Sequence, residues 1–379
     1  MIRSTFDRIT LALLLGGIAV SASAQTNSSP TLYAGDPAPS IQVQTWVRGA
    51  PITRFEPGKV YVLDFWATWC GGCIISFPHI SGIAAKYNGK VTFISIDSNE
   101  EIGSSDKKEI DSVAAVKAFL QTPEGQALKL NVAVDGPSHS MWNSWISGLH
   151  RMGLPTTFVI DQEGKVAWED VNLDHLEWVL DEVLAKKWDR TRAAAAQKER
   201  DVAEDSMMKW AMAKSGADKK SALQNMLAVS NKFAKEFPER KGATGTYKVL
   251  AYIESDKSKL MGALEEIALE AHPRYLDLND AAGLTLREKD LSKETYAAAA
   301  NLLERCLGNE YPAVNTCGKT IGTYSELADA YHRAGDQKRA ISSQEQALAL
   351  ANETKVSAEQ VKKLQKDLEA YKSGEKGGS

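Results

Sequence analysis

The fold is decided by residues 62–73, which read VLDFWATWCGGC. The apolar run Tyr61–Trp66 is strand-like, and the segment from Cys73 to Tyr87 has helical spacing. Two thiols, Cys70 and Cys73, are therefore separated by two residues at the point where a strand gives way to a helix. Thiols in this position can close a disulfide without backbone movement. The sequence predicts a dithiol that cycles between oxidised and reduced forms.

The two cysteines have different predicted roles. Cys70 precedes the helix, so free backbone N–H groups and the helix dipole favour its thiolate, which makes it the attacking nucleophile. Cys73 lies one turn further on the same face and can resolve a mixed disulfide formed on Cys70. Half of a zinc site is the alternative. Zinc sites usually need four ligands, and the other cysteines lie over 200 residues away, so no metal is expected.

The sequence around the dithiol alternates strands and helices. Beyond the segments already described, it predicts a strand at Val91–Asp97, a helix at Val113–Leu120, a strand at Thr157–Ile160, a hairpin into Lys165–Trp168 and a helix at Leu173–Lys187. This order predicts an α/β domain over residues 35–188, in which helices flank a central mixed sheet.

The composition then changes to a sequence rich in Ala, Lys, Glu and Leu, which predicts an all-α domain over residues 189–372. Its clearest unit runs from Tyr324 to Ala347, with small and large apolar residues at the spacing of a tetratricopeptide repeat. Residues 278–307 form a degraded copy of the unit. Cys306 and Cys317 flank a turn between helices, and a structural disulfide is the preferred prediction. A second redox pair that relays electrons to Cys70 is the alternative.

Residues 62–73 with Pro78, followed by GLPTTFVID at residues 153–161, resemble the thioredoxin superfamily and, within it, the TlpA/ResA-like thiol-disulfide oxidoreductases. The resemblance covers residues 35–188. It implies a thioredoxin fold with Pro155 in the cis form beside the dithiol, where the backbone around Leu154 would pair with an extended substrate peptide. We expect Trp69, Leu154 and Thr156 to contact substrate and Pro155 to belong to the catalytic site.

Asp64 lies six residues before Cys70 on a strand that is otherwise apolar. In thioredoxin, the matching aspartate lies beneath the dithiol and helps to move the proton of the second cysteine, so the resemblance gives Asp64 a catalytic role. A structural carboxylate is the alternative. The partner lysine of thioredoxin is replaced here by Phe93, so we expect the pKa of Asp64 to lie above that of a free carboxyl.

Two departures from the family bear on the redox potential. Ser76 stands where several TlpA/ResA-like proteins have glutamate, and the residues between the cysteines are Gly-Gly. Because the Gly-Gly dipeptide contains no histidine, little beyond the helix terminus stabilises the Cys70 thiolate. We therefore predict a potential between the reducing thioredoxin end and the oxidising DsbA end of the scale.

The 379 residues suit two domains, and 43% hydrophobic with 25% charged residues is an ordinary globular composition. A net charge of −4 gives no reason to expect nucleic acid or an anionic membrane as a partner. Residues 1–24 combine arginines, an apolar run and Ala-Ser-Ala, a pattern that predicts a cleaved secretory signal. We expect a flexible leader at 25–34, a disordered tail at 373–379, no membrane span after cleavage and a periplasmic or secreted product.

The leading hypothesis is a secreted thiol-disulfide oxidoreductase that acts on protein disulfides, most simply in the reducing direction, without a cofactor. Its partners would be protein thiol or disulfide substrates, an upstream dithiol electron donor and a protein bound by the helical domain. The alternative is a tetratricopeptide-like interaction scaffold with an accessory redox domain. A thiol peroxidase on the same fold is disfavoured, because Ala67 and Leu63 stand where that family has Thr or Ser and Pro.

Overall fold

The computed structural model describes residues 31–103, 111–149, 153–213, 216–270, 272, 274–308 and 318–374. The predicted secretory signal, Cys317 and the end of the predicted tail lie outside these residues. The chain divides into two compact units between Ala194 and Ala195. Each unit is described by itself.

The first unit is built on a six-stranded mixed sheet. Its strands are β1 (Thr45–Arg48), β2 (Val60–Trp66), β3 (Val91–Asp97), β4 (Asn131–Val134), β5 (Thr156–Ile160) and β6 (Val166–Asp170). They lie in the order β1-β4-β3-β2-β5-β6. Central strand β2 runs parallel to β3 and antiparallel to β5. The predicted central mixed sheet is confirmed.

Alternation along β2 places its side chains in two cores. Val60, Val62 and Trp66 face a cluster that contains the apolar side of the first long helix, while Leu63 and Phe65 face a second cluster on the opposite side. Every residue of β2 is buried. Successive side chains of a strand point to opposite faces, so Asp64 lies on the same face as Val62 and Trp66, towards the helix.

Helices cover the sheet of the first unit. They are α1 (Gly71–Lys86), α2 (Ser112–Phe119), α3 (Pro123–Ala127) and α4 (Leu176–Leu184), with a 3₁₀ turn at Glu100–Gly103 and a π-helical turn at Trp142–Ile146. The contact between α1 and the sheet includes an edge-to-face pair of Trp66 and Phe77, with ring centroids 5.1 Å apart. This packing fixes the start of α1 above the end of β2.

Strands β1 and β4 were not predicted from the sequence, and the predicted end of the leader at residue 34 lies too late in the chain. Strands β1 and β4 are only four residues long and pair with each other at the edge of the sheet. Leu32 and Ala34 were assigned to a flexible leader, but both are buried, and Leu32 packs with Ile41 and Tyr61 in the second core. Leu32 and Ala34 therefore belong to the folded unit, because the apolar side chain of Leu32 completes that core.

A long helix, α5 (Arg190–Met212), begins close to the predicted domain boundary and continues past the division between the two units. The second unit is helical in the part that the structure describes, as the sequence predicts. Its further helices are α6 (Gly216–Glu236), α7 (Gly245–Ser255), α8 (Leu260–Ala268), α9 (Tyr275–Arg287), α10 (Lys293–Cys306), α11 (Ile321–Ala334), α12 (Gln337–Glu353) and α13 (Ala358–Ser373), with 3₁₀ turns at Pro238–Thr244 and Lys257–Lys259.

Gly335 and Asp336 form the turn between α11 and α12. Gly335 ends α11 with a φ of 88°, which a residue without a Cβ adopts at little cost. Asp336 then caps α12 by accepting a hydrogen bond from the backbone N–H of Arg339 at 3.0 Å. Ala328, Ala340 and Ala347 are fully buried, so small side chains lie in the interior of this helix pair.

Among the described residues, no helix has both the length and the apolar character that a membrane crossing requires.

Candidate active site

Cys70 and Cys73 form a disulfide at the N-terminus of α1, with their Cα atoms 5.3 Å apart. Cys70 is the N-cap of the helix, and its Sγ accepts a hydrogen bond from the backbone N–H of Cys73 at 3.2 Å. Cys70 is 6% exposed and Cys73 is 1% exposed, so the outer sulfur belongs to Cys70. In the reduced protein, the same N–H and the helix terminus would stabilise the Cys70 thiolate. The geometry suits Cys70 as the nucleophile and Cys73 as the buried resolving thiol.

The loop before β5 lies against the dithiol segment. The Leu154–Pro155 peptide bond is cis, as the resemblance implies. A Cβ added at Gly72 would lie 3.8 Å from Cδ of Pro155, so the proline ring faces the start of α1 across an ordinary contact distance. Leu154 and Pro155 are half-buried. Thr156 is fully buried, and its hydroxyl donates to the carbonyl of Gly153 at 2.8 Å. Its side chain therefore fixes the loop and does not face a substrate from this position.

Asp64 has a hydrogen-bonding partner on each neighbouring strand. The sheet register places it opposite Ser95 on β3 and Thr157 on β5. Oδ1 of Asp64 accepts from the Thr157 hydroxyl at 3.2 Å, and Oδ2 lies 3.5 Å from the Ser95 hydroxyl. The place that the resemblance assigns to a lysine holds the buried ring of Phe93.

Burial raises the pKa of Asp64 to about 7, and the two hydroxyl hydrogen bonds oppose this shift. Desolvation is the largest cause because the carboxylate leaves water without gaining a cation. The expected rise is confirmed. A carboxyl that titrates near neutral pH, on the face of the sheet that α1 covers, can accept the proton of a neighbouring thiol and return it.

Thr157→Val should raise the pKa of Asp64 further. The substitution removes a hydrogen bond to the charged form, which corresponds to a rise of about one pKa unit. Titration of the Asp64 carboxyl by NMR in the oxidised protein measures the shift. Thr156→Val is the matched control, because the Thr156 hydroxyl bonds Gly153 rather than Asp64. An unchanged or lower pKa in Thr157→Val would contradict this account of the site.

Trp69 is 40% exposed beside the disulfide, and its indole N–H donates to the carbonyl of Asn99 at 2.8 Å. The indole therefore has a fixed position while one part of it stays accessible. The preceding residue, Thr68, is bound by Glu100 through both its backbone N–H and its hydroxyl. Glu100 was not predicted from the sequence, where the signal is the acidic pair Glu100 and Glu101 shortly after β3.

Ser76 lies one turn beyond Cys73, where several relatives have glutamate. It is buried, and its hydroxyl donates to the carbonyl of Cys73 at 2.7 Å. The hydroxyl satisfies a backbone acceptor within the helix and adds no charge beside the dithiol. A tuning mechanism that uses a carboxylate at this position does not apply to the chain.

Cys306 is the last residue of α10 and is fully buried. Its predicted partner, Cys317, lies outside the described residues, so the pairing of these two cysteines stays a prediction. The dithiol, Pro155, Trp69 and Asp64 all lie in the first unit, and Cys306 lies in the second.

Comparison with known proteins agrees with this site. The redoxin family matches residues 33–184. Protein FixW of Rhizobium leguminosarum is 32% identical over 169 residues, which cover 44% of this chain and 72% of that protein. The thiol:disulfide interchange protein HelX of Rhodobacter capsulatus is 28% identical, over 37% of this chain and 69% of that protein. The thiol-disulfide oxidoreductase ResA of Bacillus cereus is 36% identical, over 29% of this chain and 53% of that protein.

The redoxin match ends at residue 184, so the helical second unit lies beyond it. The matched part contains the mixed sheet, the disulfide at the start of α1, the cis proline and the buried aspartate. The chain therefore belongs to the redoxin family and is a thioredoxin-like thiol-disulfide oxidoreductase with a helical second domain.

Proposed function

We propose that this protein exchanges disulfides with protein substrates outside the cytoplasm, in the reducing direction, as a member of the TlpA/ResA-like branch. The observation that carries the proposal is the Cys70–Cys73 disulfide at the N-terminus of α1, with Pro155 facing it and a titratable carboxyl on the sheet below. In the proposal, residues 35–188 form the redox domain and residues 189–372 the helical domain. Residues 25–34 precede them as the leader, except that Leu32 and Ala34 are buried in the first unit.

The proposed reaction begins with the reduced protein. The Cys70 thiolate attacks one sulfur of a substrate disulfide, forming a mixed disulfide and releasing the other substrate sulfur as a thiolate that takes a proton from water. Asp64 accepts the Cys73 proton, and the Cys73 thiolate attacks Sγ of Cys70. The Cys70–Cys73 disulfide forms as the second substrate thiolate leaves and is protonated. Two electrons pass from the dithiol to the substrate, and an upstream dithiol donor restores them.

The residues around the disulfide give a substrate peptide a place to bind. In the proposal, the exposed part of Trp69 packs against the peptide, and the backbone at Leu154 pairs with it while Pro155 lines the site. Thr156 contributes by holding the loop through its hydroxyl. An extended peptide that adds to a strand gains its affinity from backbone hydrogen bonds, which suits substrates of varied sequence.

The extracytoplasmic location is supported by the charged and apolar pattern of residues 1–24. A disulfide between Cys306 and Cys317 would suit the same compartment, because structural disulfides persist in oxidising surroundings. We propose that this second pair is structural and links the two ends of the segment from Cys306 to Cys317. It would then stabilise the helical domain rather than pass electrons.

The helical domain is proposed to bind the partner protein through tetratricopeptide-like helix pairs. The pair α11 and α12 supports this reading, since small buried residues and a glycine turn allow close packing of two helices. In this arrangement the redox domain supplies the chemistry and the helical domain selects the protein on which it acts.

The reduction potential tests the proposed direction. Equilibration of the full-length protein with glutathione buffers, followed by thiol counting at Cys70 and Cys73, should give a potential between about −270 mV and about −120 mV. The helix terminus favours the Cys70 thiolate, but the Gly-Gly dipeptide adds no cation that would make the pair a strong oxidant. A potential at the DsbA end would contradict the reducing direction, and one at the thioredoxin end would contradict the account of the Gly-Gly dipeptide.

A further inference from the structure

A carboxylate outside the dithiol motif holds the loop that carries the nucleophile. Glu100 is 5% exposed, in the 3₁₀ turn that follows β3. Its Oε1 accepts from the backbone N–H of Thr68 at 2.6 Å, and its Oε2 accepts from the Thr68 hydroxyl at 2.5 Å. Hydrogen bonds to an ionised acceptor are stronger than neutral ones. One buried side chain thus binds both hydrogen-bond donors of Thr68, a residue that lies two positions before Cys70.

A second buried carboxyl, that of Asp97, lies next to Glu100. Asp97 is 1% exposed, at the end of β3, and burial together with the neighbouring carboxyl of Glu100 raises its pKa to about 10. Desolvation is the largest cause of this rise, so Asp97 adds little negative charge beside Glu100 at neutral pH. Asp135, also beside this pair, has separate donors in the backbone N–H groups of Met141 and Trp142.

Asn99, which directly precedes Glu100, binds Trp69, the residue that follows Thr68 in the loop. The carbonyl of Asn99 accepts the Trp69 indole N–H at 2.8 Å. The backbone N–H of Cys70 donates to the carbonyl of Ala67 at 3.1 Å, which closes a tight turn around Thr68. A shift of Thr68 would therefore move the Cys70 sulfur relative to the Cys73 N–H that it faces.

We propose that Glu100 is a positioning residue for thiol-disulfide exchange: its bonds to Thr68 hold the Trp69–Cys70 segment so that the Cys70 thiolate faces the N-terminus of α1. The inference rests on the proposed function, because it concerns the reactivity of Cys70. Glu100 acts through Thr68 and does not itself touch a substrate.

Glu100 can affect the pKa of the Cys70 thiol through its negative charge or through its hydrogen bonds to Thr68. Loss of these two interactions shifts the pKa in opposite directions. Removal of a nearby negative charge alone lowers the thiol pKa, because the thiolate is less repelled. Loss of the hold on Thr68 raises the thiol pKa, because the helix N–H groups no longer face the sulfur. Glu100→Gln loses the charge but keeps an amide that can bond Thr68, whereas Glu100→Ala loses both.

The experiment measures the pH dependence of Cys70 alkylation by iodoacetamide in the reduced full-length protein. We expect Glu100→Ala to have a higher Cys70 pKa than Glu100→Gln, with a thiolate fraction at neutral pH up to about tenfold lower. Glu101 is the matched control, since it lies in the same turn and faces His139 at 3.4 Å. Glu101→Ala and Glu101→Gln should give the same pKa for the Cys70 thiol.

Equal Cys70 titrations for Glu100→Ala and Glu100→Gln would overturn the proposal. If Glu100→Ala does not fold, Thr68→Val replaces it, because it removes the hydroxyl bond and keeps Glu100. Thr68→Val should then raise the Cys70 pKa, while Thr68→Ser should restore it, and equal values for these two variants would also overturn the proposal. A wild-type protein that alkylates at Cys70 but does not reduce protein disulfides would contradict the proposed function instead.

Discussion

Cys70→Ser should lower the rate of protein-disulfide reduction by at least about a thousandfold, because a serine hydroxyl without an activating base does not attack sulfur. The measurement is the rate at which the reduced full-length variant reduces a disulfide-bonded protein in the presence of dithiothreitol, corrected for dithiothreitol alone. The fold should be unaffected, since serine fits the space of the Cys70 side chain. A rate within tenfold of the wild type would contradict the assignment of the nucleophile.

Cys73→Ser should stop the reaction at a later step than Cys70→Ser. It keeps the first step, so it should consume substrate once and stop at the mixed disulfide, because the buried resolving thiol is missing. One substrate thiol should be released for each protein molecule, against two for the wild type. Equal behaviour of Cys70→Ser and Cys73→Ser would contradict the division of roles between an outer and an inner sulfur.

Asp64→Asn should stabilise the oxidised protein, and the gain should grow with pH. In the unfolded chain an aspartate ionises near pH 4, whereas in the folded protein the pKa of Asp64 is about 7. The wild type therefore loses stability as the pH rises from about 4 to about 7, by on the order of 3 to 4 kcal/mol. Asparagine does not titrate, so the variant avoids this loss. Chemical unfolding of both oxidised proteins at pH 4 and pH 8 measures the difference.

The same substitution should slow catalysis. Without a carboxylate to accept the Cys73 proton, the resolving step at neutral pH should fall on the order of a hundredfold. Release of the first substrate thiol, which needs only Cys70, should keep its wild-type rate. A stability difference that is independent of pH would contradict the raised pKa, and an unchanged resolving step would leave Asp64 as a structural carboxylate.

Much of the redox domain could be predicted from its sequence because its strands are long and apolar. Val91–Asp97 was predicted with both of its ends, since an apolar run between turn residues is typical of a buried strand. Strands β1 and β4 were missed because four residues give too short a pattern, and β1 joins the sheet through its pairing with β4. Leu32 was missed for a similar reason, since a single apolar residue does not reveal which core it enters.

The dithiol and Asp64 could be found because one family motif carries them at residues 62–73, and Pro155 because a second family motif carries it at residues 153–161. Glu100 could not, because its bond to Thr68 joins residues that are 32 positions apart. That contact exists only because β2 and β3 run parallel, so that the segments following the two strands meet at one edge of the sheet. A sequence pattern does not show such a contact until the strand order is known.

The most direct test of the central claim is to map the mixed disulfide that Cys73→Ser forms with a disulfide-bonded protein of known sequence. The reduced full-length variant is mixed with that protein, quenched with acid, digested without reduction and analysed by mass spectrometry. We expect one linked peptide pair that joins Cys70 to a substrate cysteine. The account would be contradicted if the wild-type protein reduces the substrate but the variant forms no adduct with it. A variant that links to the substrate through Cys306 or Cys317 would contradict the account as well.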